Sequence, residues 1–505
     1  MAGEGAGPSL SLRMRAMKRL ALAIFLFPVV ALAQLHDIDK LAAETMRIWQ
    51  VPGLAVAIVQ NDRVVYAKGF GVRETGKSDP VTPDTLFEIA STTKAFTTTA
   101  LAMLVDQKKL EWDDAVHKYV EYFHLADPCA DSLVTVRDIV SHRTGLSRHD
   151  ELWDYTDWSR EQVIRSIGSL KLSKPFRSAY QYQNIMFALA GEVVAGASKT
   201  PWEEFVRTRI FEPLGMTSTR VSMAEWNASQ HAVGYRYDRL GNRVVAQSMT
   251  DYSRIAPAGT IKSSVRDMAH WLRFQLAGGT IDGKRLISAE ALQETKTPQT
   301  VIRMEGAVRD ANPETNIEAY GLGWVIQDYR GDLLVAHAGA LNAFRTQVAL
   351  LPKRNAGVVV MSNLGRGYAV IALRDAILDQ LLGGTTRDWN QYLLDVEKKS
   401  DAKDDERKAE RESKRYRDTK PSRDLTTYAG AYQSPAYGAA TVAMENGALV
   451  LHWNRLTAPL THVHFDTFAA AVPEDDLDEQ VQFQLGPDGE VRSLTLFDEQ
   501  FDKKP

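Results

Sequence analysis

Ser91-Thr92-Thr93-Lys94 sets a hydroxyl and an amine three residues apart, a spacing that puts both side chains on one helix face. A serine hydroxyl becomes an effective nucleophile only when a neighbouring base takes its proton, and Lys94 is within reach to assist. If Ser91 opens the helix, the dipole there also favours negative charge developing on its oxygen. The pattern alone is weak. It recurs at Ser400-Asp401-Ala402-Lys403 inside a run of charge, whereas only Ser91 leads into a long apolar segment with Ala95, Phe96, Leu101, Met103 and Leu104. Two later segments add chemistry: Tyr182-Gln183-Asn184, ahead of the apolar stretch Ile185 to Ala197, and His337-Ala338-Gly339, after a strand-like Leu333 to Ala336.

Taken in order, these three segments resemble the active-site motifs of the serine β-lactamase and penicillin-binding protein superfamily. Tyr-x-Asn points to its class C-like branch, with D-aminopeptidase, DD-carboxypeptidase and esterase relatives. Phe87-Glu88-Ile89-Ala90, Val134 to Asp138, Ser141 to Leu146 and Tyr320 to Trp324 look similar to that branch too, so the likeness spans about residues 36–385. The resemblance implies a two-lobed α/β fold, an antiparallel sheet with an inserted helical lobe. It also implies that Ser91 is acylated and that Lys94 and Tyr182 shuttle protons. A free phenol titrates near about 10, so Tyr182 would need a cation such as Lys94 beside it to act as a base. Asn184 would bind substrate, with the N–H groups of Ser91 and Ala340 as the oxyanion hole on an edge strand. The third motif departs from the Lys-Thr-Gly of dedicated β-lactamases. His337 is mostly neutral near pH 7, which favours D-amino-acid or cell-wall-type peptides first, esters next and β-lactams third. A catalytically idle penicillin- or peptide-binding relative is the alternative of another class.

Other patterns carry less. Gly71 to Ser78 matches the phosphate-loop pattern, but Pro80 and Pro83 follow, so no helix can begin at Lys77-Ser78 to receive a phosphate. His142, His149, His462 and His464 come without zinc-ligand spacing, and neither a metal nor any other cofactor is expected. The single Cys129 can form no internal bridge and reads as a small buried hydrophobe or a chance free thiol. No G-x-S-x-G elbow occurs.

The elements that must position these residues follow from patterning. Strand-like segments at Leu54 to Val72 and again from Gly323 to Ser362 flank a helical centre, which predicts a sheet built from both ends of the domain. Ser159 with Gln162 and Thr200 with Glu203 read as capping boxes, and Ser264 as the start of a further helix. Between Asp395 and Lys420, 19 of 26 residues are charged, as in a solvated linker or exposed helix. We place this linker at 386–422. Beyond it, 423–505 reads as a small all-β barrel-like domain with hairpins at Asn446-Gly447 and Asp488-Gly489. The 505 residues have ordinary globular composition, and a net charge of −4 advertises no nucleic acid partner. At the N-terminus, Arg13, Arg15, Lys18 and Arg19 precede the apolar run Leu20 to Val30 and Ala31-Leu32-Ala33. That is the form of a secretory signal over residues 1–33. Its loss would remove four cations and one anion, taking the net charge to −7. The expectation is a periplasmic or secreted chain with no transmembrane span, acting on a small-molecule, peptide or ester substrate.

Overall fold

The computed structural model describes residues 35–384, 387–472 and 477–505; the expected signal over 1–33 lies outside them. Strand β1 (Gly53–Gln60) is buried along its whole length because both faces of its sheet are covered. Leu54, Val56 and Ile58 face one core and Ala55, Ala57 and Val59 the other, the period-two alternation of a strand. With β2 (Arg63–Gly71), β3 (Thr300–Ile302), β4 (Glu318–Tyr320), β5 (Val325–Tyr329), β6 (Asp332–Leu341), β7 (Phe344–Leu351) and β8 (Ala356–Ser362) it forms an eight-stranded antiparallel sheet. The spatial order is β2-β1-β8-β7-β6-β5-β4-β3. Strands from both ends of the domain therefore meet at the β1–β8 pairing, where Leu54 lies opposite Ser362.

Helix α1 (Ile38–Trp49) packs on one face. The segment between β2 and β3 supplies the helical lobe, with α2 (Thr93–Asp106), α3 (Asn184–Ser198) and α4 (Val265–Leu276). Helices α2 and α3 are buried on nearly all sides and pack against each other inside it. Ser264 caps α4 by accepting from the Asp267 N–H at 3.2 Å. The Ser159–Gln162 capping box forms; the one expected at Thr200 does not. Pro201 stands at that N-cap, and the Glu203 carboxylate pairs instead with Arg160. Helix α5 (Gly367–Leu381) lies on the α1 side of the sheet, followed by α6 (Trp389–Ser413), which carries most of the charged run. Its first turns are anchored in the apolar core through Trp389, Leu393 and Val396, and its later turns by ion pairs such as Asp405 with Arg239.

The C-terminal strands close an eight-stranded up-and-down barrel: β9 (Gly430–Ser434), β10 (Gly438–Glu445), β11 (Ala448–Trp453), β12 (Leu456–His464), β13 (Thr467–Val472), β14 (Leu477–Leu485), β15 (Val491–Leu496) and β16 (Glu499–Lys503). Asn446 and Gly447 both take positive φ, 51° and 81°, the two-residue turn whose twist matches its strands. Closure removes the exposed edges an open sheet would leave. Among the described residues no helix is long and apolar enough to cross a membrane.

Candidate active site

The turn that presents Ser91 is strained. Ala90 sits at φ +48°, a left-handed conformation that costs a residue with a side chain about 1–2 kcal/mol. The 3-10 turn Ala90–Thr92 then runs directly into α2. Lys94, one turn on, is fully buried. Its Nζ lies 3.1 Å from Ser91 Oγ, 2.8 Å from Asn184 Oδ1 and 2.8 Å from the Ala258 carbonyl oxygen. Burial above all, and then the Arg148 cation, push its pKa well below that of an ordinary lysine, against a smaller pull from Asp150. Asn184 Oδ1 and the Ala258 carbonyl can only accept, so a neutral amine gives them its two N–H groups and keeps its lone pair for Ser91.

Tyr182 hydrogen-bonds Ser91 as well. Burial raises its pKa above that of an ordinary phenol, with the Ser91 bond and Arg148 offsetting part of the rise. Lys94 Nζ sits 4.8 Å from the Tyr182 ring centroid. Both shifts favour the uncharged forms, a free amine beside a protonated phenol.

Asn184, the first residue of α3, is engaged within the protein at both ends. Its Oδ1 receives Lys94, and its Nδ2 donates to Asp150 Oδ1 at 3.0 Å. Asp150 also accepts from Trp153 Nε1 and from Arg148 Nε, both at 2.7 Å. The Arg148 guanidinium then returns over the Tyr182 ring, 5.1 Å from its centroid, a favourable cation–π geometry. Lys94, Asn184, Asp150, Arg148 and Tyr182 thus form a closed circuit around the nucleophile.

The third motif lies within β6. Tyr320 Oη donates to His337 Nε2 at 2.9 Å, while His337 Nδ1 donates to the Ala338 carbonyl at 2.7 Å. That pattern belongs to a neutral imidazole, and burial reinforced by Lys94 holds the His337 pKa down to about 3. Strand β6 is not an edge strand along its whole length: β5 pairs with Asp332 to Ala336 and stops there. From His337 to Leu341 only β7 pairs with it, so an edge opens where Gly339 and Ala340 stand. A Cβ on Gly339 would fall 2.2 Å from the Ile89 carbonyl oxygen. Glycine there lets β6 lie against the nucleophile turn.

The structure therefore gathers Ser91, Lys94, Tyr182 and Asn184 through direct contacts, with His337 and Gly339 on the adjoining strand. Sequence reasoning missed Arg148, Asp150, Tyr320 and the Ala258 carbonyl. Arg148 and Asp150 directly follow the Ser141 to Leu146 segment, so proximity to it was an available signal; a backbone carbonyl has none. His142, seen only as a loop histidine, is buried with its ring 4.3 Å from that of Tyr182 and accepts the Gln183 N–H. Among the described residues, His117, His124 and Asp131 are the group whose ligand atoms converge closely enough for a metal, and both imidazoles already bond the Asp131 carboxylate at 3.2 Å. Cys129, expected to be buried or free, is a free thiol and exposed. The Gly71 to Ser78 segment forms the end of β2 and a turn, with no helix at Lys77.

Comparison with known proteins fits this geometry. The beta-lactamase family model matches residues 38–382, and a domain of unknown function, DUF3471, matches 414–505. An unguisins hydrolase, ungD', of Aspergillus campestris is 29% identical over 479 residues, covering 90% of this chain and 88% of its own. Its counterpart ungD in Aspergillus violaceofuscus is 27% identical over 91% of this chain and 87% of its own. Protein flp of Staphylococcus aureus is 26% identical over 66% of this chain and 64% of its own. In overall fold, the octameric penicillin-binding protein homologue of Pyrococcus abyssi matches with a TM-score of 0.61 at 24% identity, over 92% of this chain and all of that one. With two thirds of its length matched, and the Ser91 site at the junction of sheet and helical lobe, the chain belongs to the β-lactamase family of hydrolases.

Proposed function

We propose that this hydrolase works through an acyl-Ser91 intermediate on amide or ester bonds, with D-amino-acid or cell-wall-type peptides as its first substrate class, and that it acts outside the cytoplasm. The observation that carries this is the buried Lys94 amine, 3.1 Å from Ser91 Oγ with its other two close partners both acceptors. Lys94 takes the Ser91 proton as the oxygen attacks the substrate carbonyl. The N–H groups of Ser91 and Ala340 receive the oxyanion, the strongest kind of help such a site gives. Tyr182, protonated and bonded to Ser91, passes a proton to the leaving group and is reprotonated by Lys94. Deacylation repeats the sequence with water as nucleophile. Within the proton-shuttling pair expected from sequence, the base role falls to the lysine because burial favours its uncharged amine and keeps Tyr182 protonated. A neutral His337 in place of a lysine favours peptide-like substrates over a dedicated β-lactamase.

Labelling with a fluorophosphonate and a fluorescent penicillin, followed by intact mass and peptide mapping, tests the reading. An adduct on Ser91, absent in Ser91→Ala, is expected. Equal turnover of a nitrophenyl ester by wild type and Ser91→Ala would overturn it.

A further inference from the structure

Three side chains of the helical lobe converge without taking part in the catalytic circuit. His117 stands in the 3-10 turn Val116–Lys118, His124 in the loop that follows, and Asp131 in the short helix Pro128–Leu133. One ligand atom from each lies within 4.8 Å of the other two. His117 Nε2 is 3.2 Å from Asp131 Oδ1, and His124 Nδ1 is 3.2 Å from Asp131 Oδ2. A hydrogen bond between a charged imidazole and a carboxylate is shorter, about 2.7–2.9 Å. Neighbouring ligands of a tetrahedral zinc ion, each bound at about 2.0–2.1 Å, stand about 3.3 Å apart. Both imidazole–carboxylate distances are nearer the second value.

The carboxylate is braced from behind. Its Oδ1 accepts the Leu125 N–H at 2.7 Å. Burial by itself would raise the Asp131 pKa, but the Leu125 N–H and the two imidazoles outweigh it and keep the group ionised. The helix that carries it is capped by Asp127, which accepts the Ala130 N–H at 2.8 Å. Lys118, next to His117, is engaged by Asp114. Outer-shell hydrogen bonds of this kind are what orient the ligands of a metal site. The set is open on one side: the His117 and Asp131 side chains are mostly covered, while that of His124 is 62% exposed, which leaves the remaining coordination position to water. Six residues separate each neighbouring pair of ligands, a spacing outside the short zinc motifs, so the group is visible only once the chain is folded.

We propose that His117, His124 and Asp131 form a zinc site that clamps the helical lobe and is not a catalytic centre. Two imidazoles and one carboxylate suit zinc better than calcium or magnesium, which take oxygen ligands. Among the described residues, none of the three hydrogen-bonds to Ser91, Lys94, Tyr182 or Asn184. The ion ties the Val116–Lys118 turn to the Pro128–Leu133 helix. It closes a loop whose ends already meet where the Val116 N–H donates to the Val134 carbonyl at 3.2 Å. The site stands independently of the acyl-serine reading.

Zinc chloride titrated calorimetrically into the full chain, after a chelator has been applied and dialysed away, should bind as a single equivalent. His124→Gln, at an exposed position where folding is not at stake, and Asp131→Asn should each weaken binding by at least about 10–100-fold, the loss that even outer-shell changes cause. His452→Gln removes an exposed histidine bonded to a single carboxylate, Glu445, and should bind zinc as the wild type does. Cys129→Ser should do the same, although the exposed Cys129 thiol lies close to Asp131 in the chain. In the wild type, zinc should raise the melting temperature by mass action and slow amide exchange across residues 116–131. No saturable binding, undiminished affinity in both His124→Gln and Asp131→Asn, or loss of binding in Cys129→Ser overturns the proposal. Binding that leaves exchange across 116–131 unaltered makes the ion a surface adduct only, and overturns it too.

Discussion

Lys94 can serve as a base only while its amine is uncharged, and its burial makes that possible at a pH well below that of a free lysine. The sign is definite: kcat/KM on a neutral ester should fall as pH drops through the lowered Lys94 pKa and level off above it. Arginine holds its proton at every accessible pH, so Lys94→Arg should lose about 10²–10⁴ in kcat at all pH values, measured by stopped-flow or steady-state hydrolysis. Arg148 supplies a second readout. Its charge lowers the pKa of both Lys94 and Tyr182, so Arg148→Gln should move the acidic limb of the profile to higher pH. An unmoved limb would show that the guanidinium only covers the Tyr182 ring. His337, already neutral down to about pH 3, should contribute no inflection near pH 6–7. Ser91, Lys94, Tyr182 and Asn184 were legible because two short motifs hold them, in order with a third at His337. Arg148 and Asp150 were not, since their role depends on a loop folding back onto Tyr182, and no local spacing encodes that.

At the scale of elements, β6 decides whether the site exists. Its Gly339 has no room for a methyl group against the Ile89 carbonyl, so Gly339→Ala must push the strand away from the strained Ala90 turn. Displacing the Ala340 N–H from the oxyanion position should cost about 10²–10³ in kcat, with near-native circular dichroism as the control. Strand and helix positions were largely legible, because β1 and β8 are apolar on both faces and α2 and α3 carry long apolar stretches. What patterning missed was pairing: β6 looked like an edge strand, yet β5 covers its first half, since pairing is a long-range property. The Thr200 capping box failed for a similar reason, its Glu203 being taken by Arg160 from another element. A buried cation gives this scale its own pH test. Lys296, just past the helix Ala289–Glu294, donates to the Gln275 carbonyl at 2.9 Å, and burial lowers its pKa to about 7. Between pH 7 and about 10.5 the unfolded chain binds the extra proton. Its contribution is therefore most favourable above that window and is lost as pH falls to 7. Lys296→Met should raise the melting temperature at pH 7, by a margin that shrinks toward pH 10; a margin independent of pH would refute the assignment.

Across the whole molecule, the barrel is joined to the loop that completes the catalytic circuit. Tyr437, buried at the start of β10, sets its hydroxyl 2.9 Å from His149 Nδ1 and 3.3 Å from Glu151 Oε2. These residues flank Asp150, the acceptor for Asn184 and Arg148. The other ring nitrogen of His149 bonds Ser147 Oγ at 2.9 Å, and the Ser147 carbonyl accepts from Gln183, next to Tyr182. A few residues on, the Arg455 N–H donates to the Tyr155 carbonyl at 3.0 Å, and the Tyr155 ring packs by Trp453 and Phe497. One short loop thus has the barrel on one side and Lys94's hydrogen-bond partner on the other. Tyr437→Phe removes a single oxygen and keeps the aromatic packing, so the barrel itself should stay folded. Two modest hydrogen bonds are lost, worth about 1 kcal/mol each. If the loop is held from the barrel side, amide exchange across residues 147–155 should quicken in Tyr437→Phe while exchange in the barrel strands is unaltered. The kcat should fall about 3–10-fold with KM nearly constant, because Asp150 holds Asn184, the hydrogen-bond partner of the base Lys94. Unaltered exchange in the loop together with wild-type kcat would mean that the barrel is merely appended, and that the loop is held by the helical lobe alone.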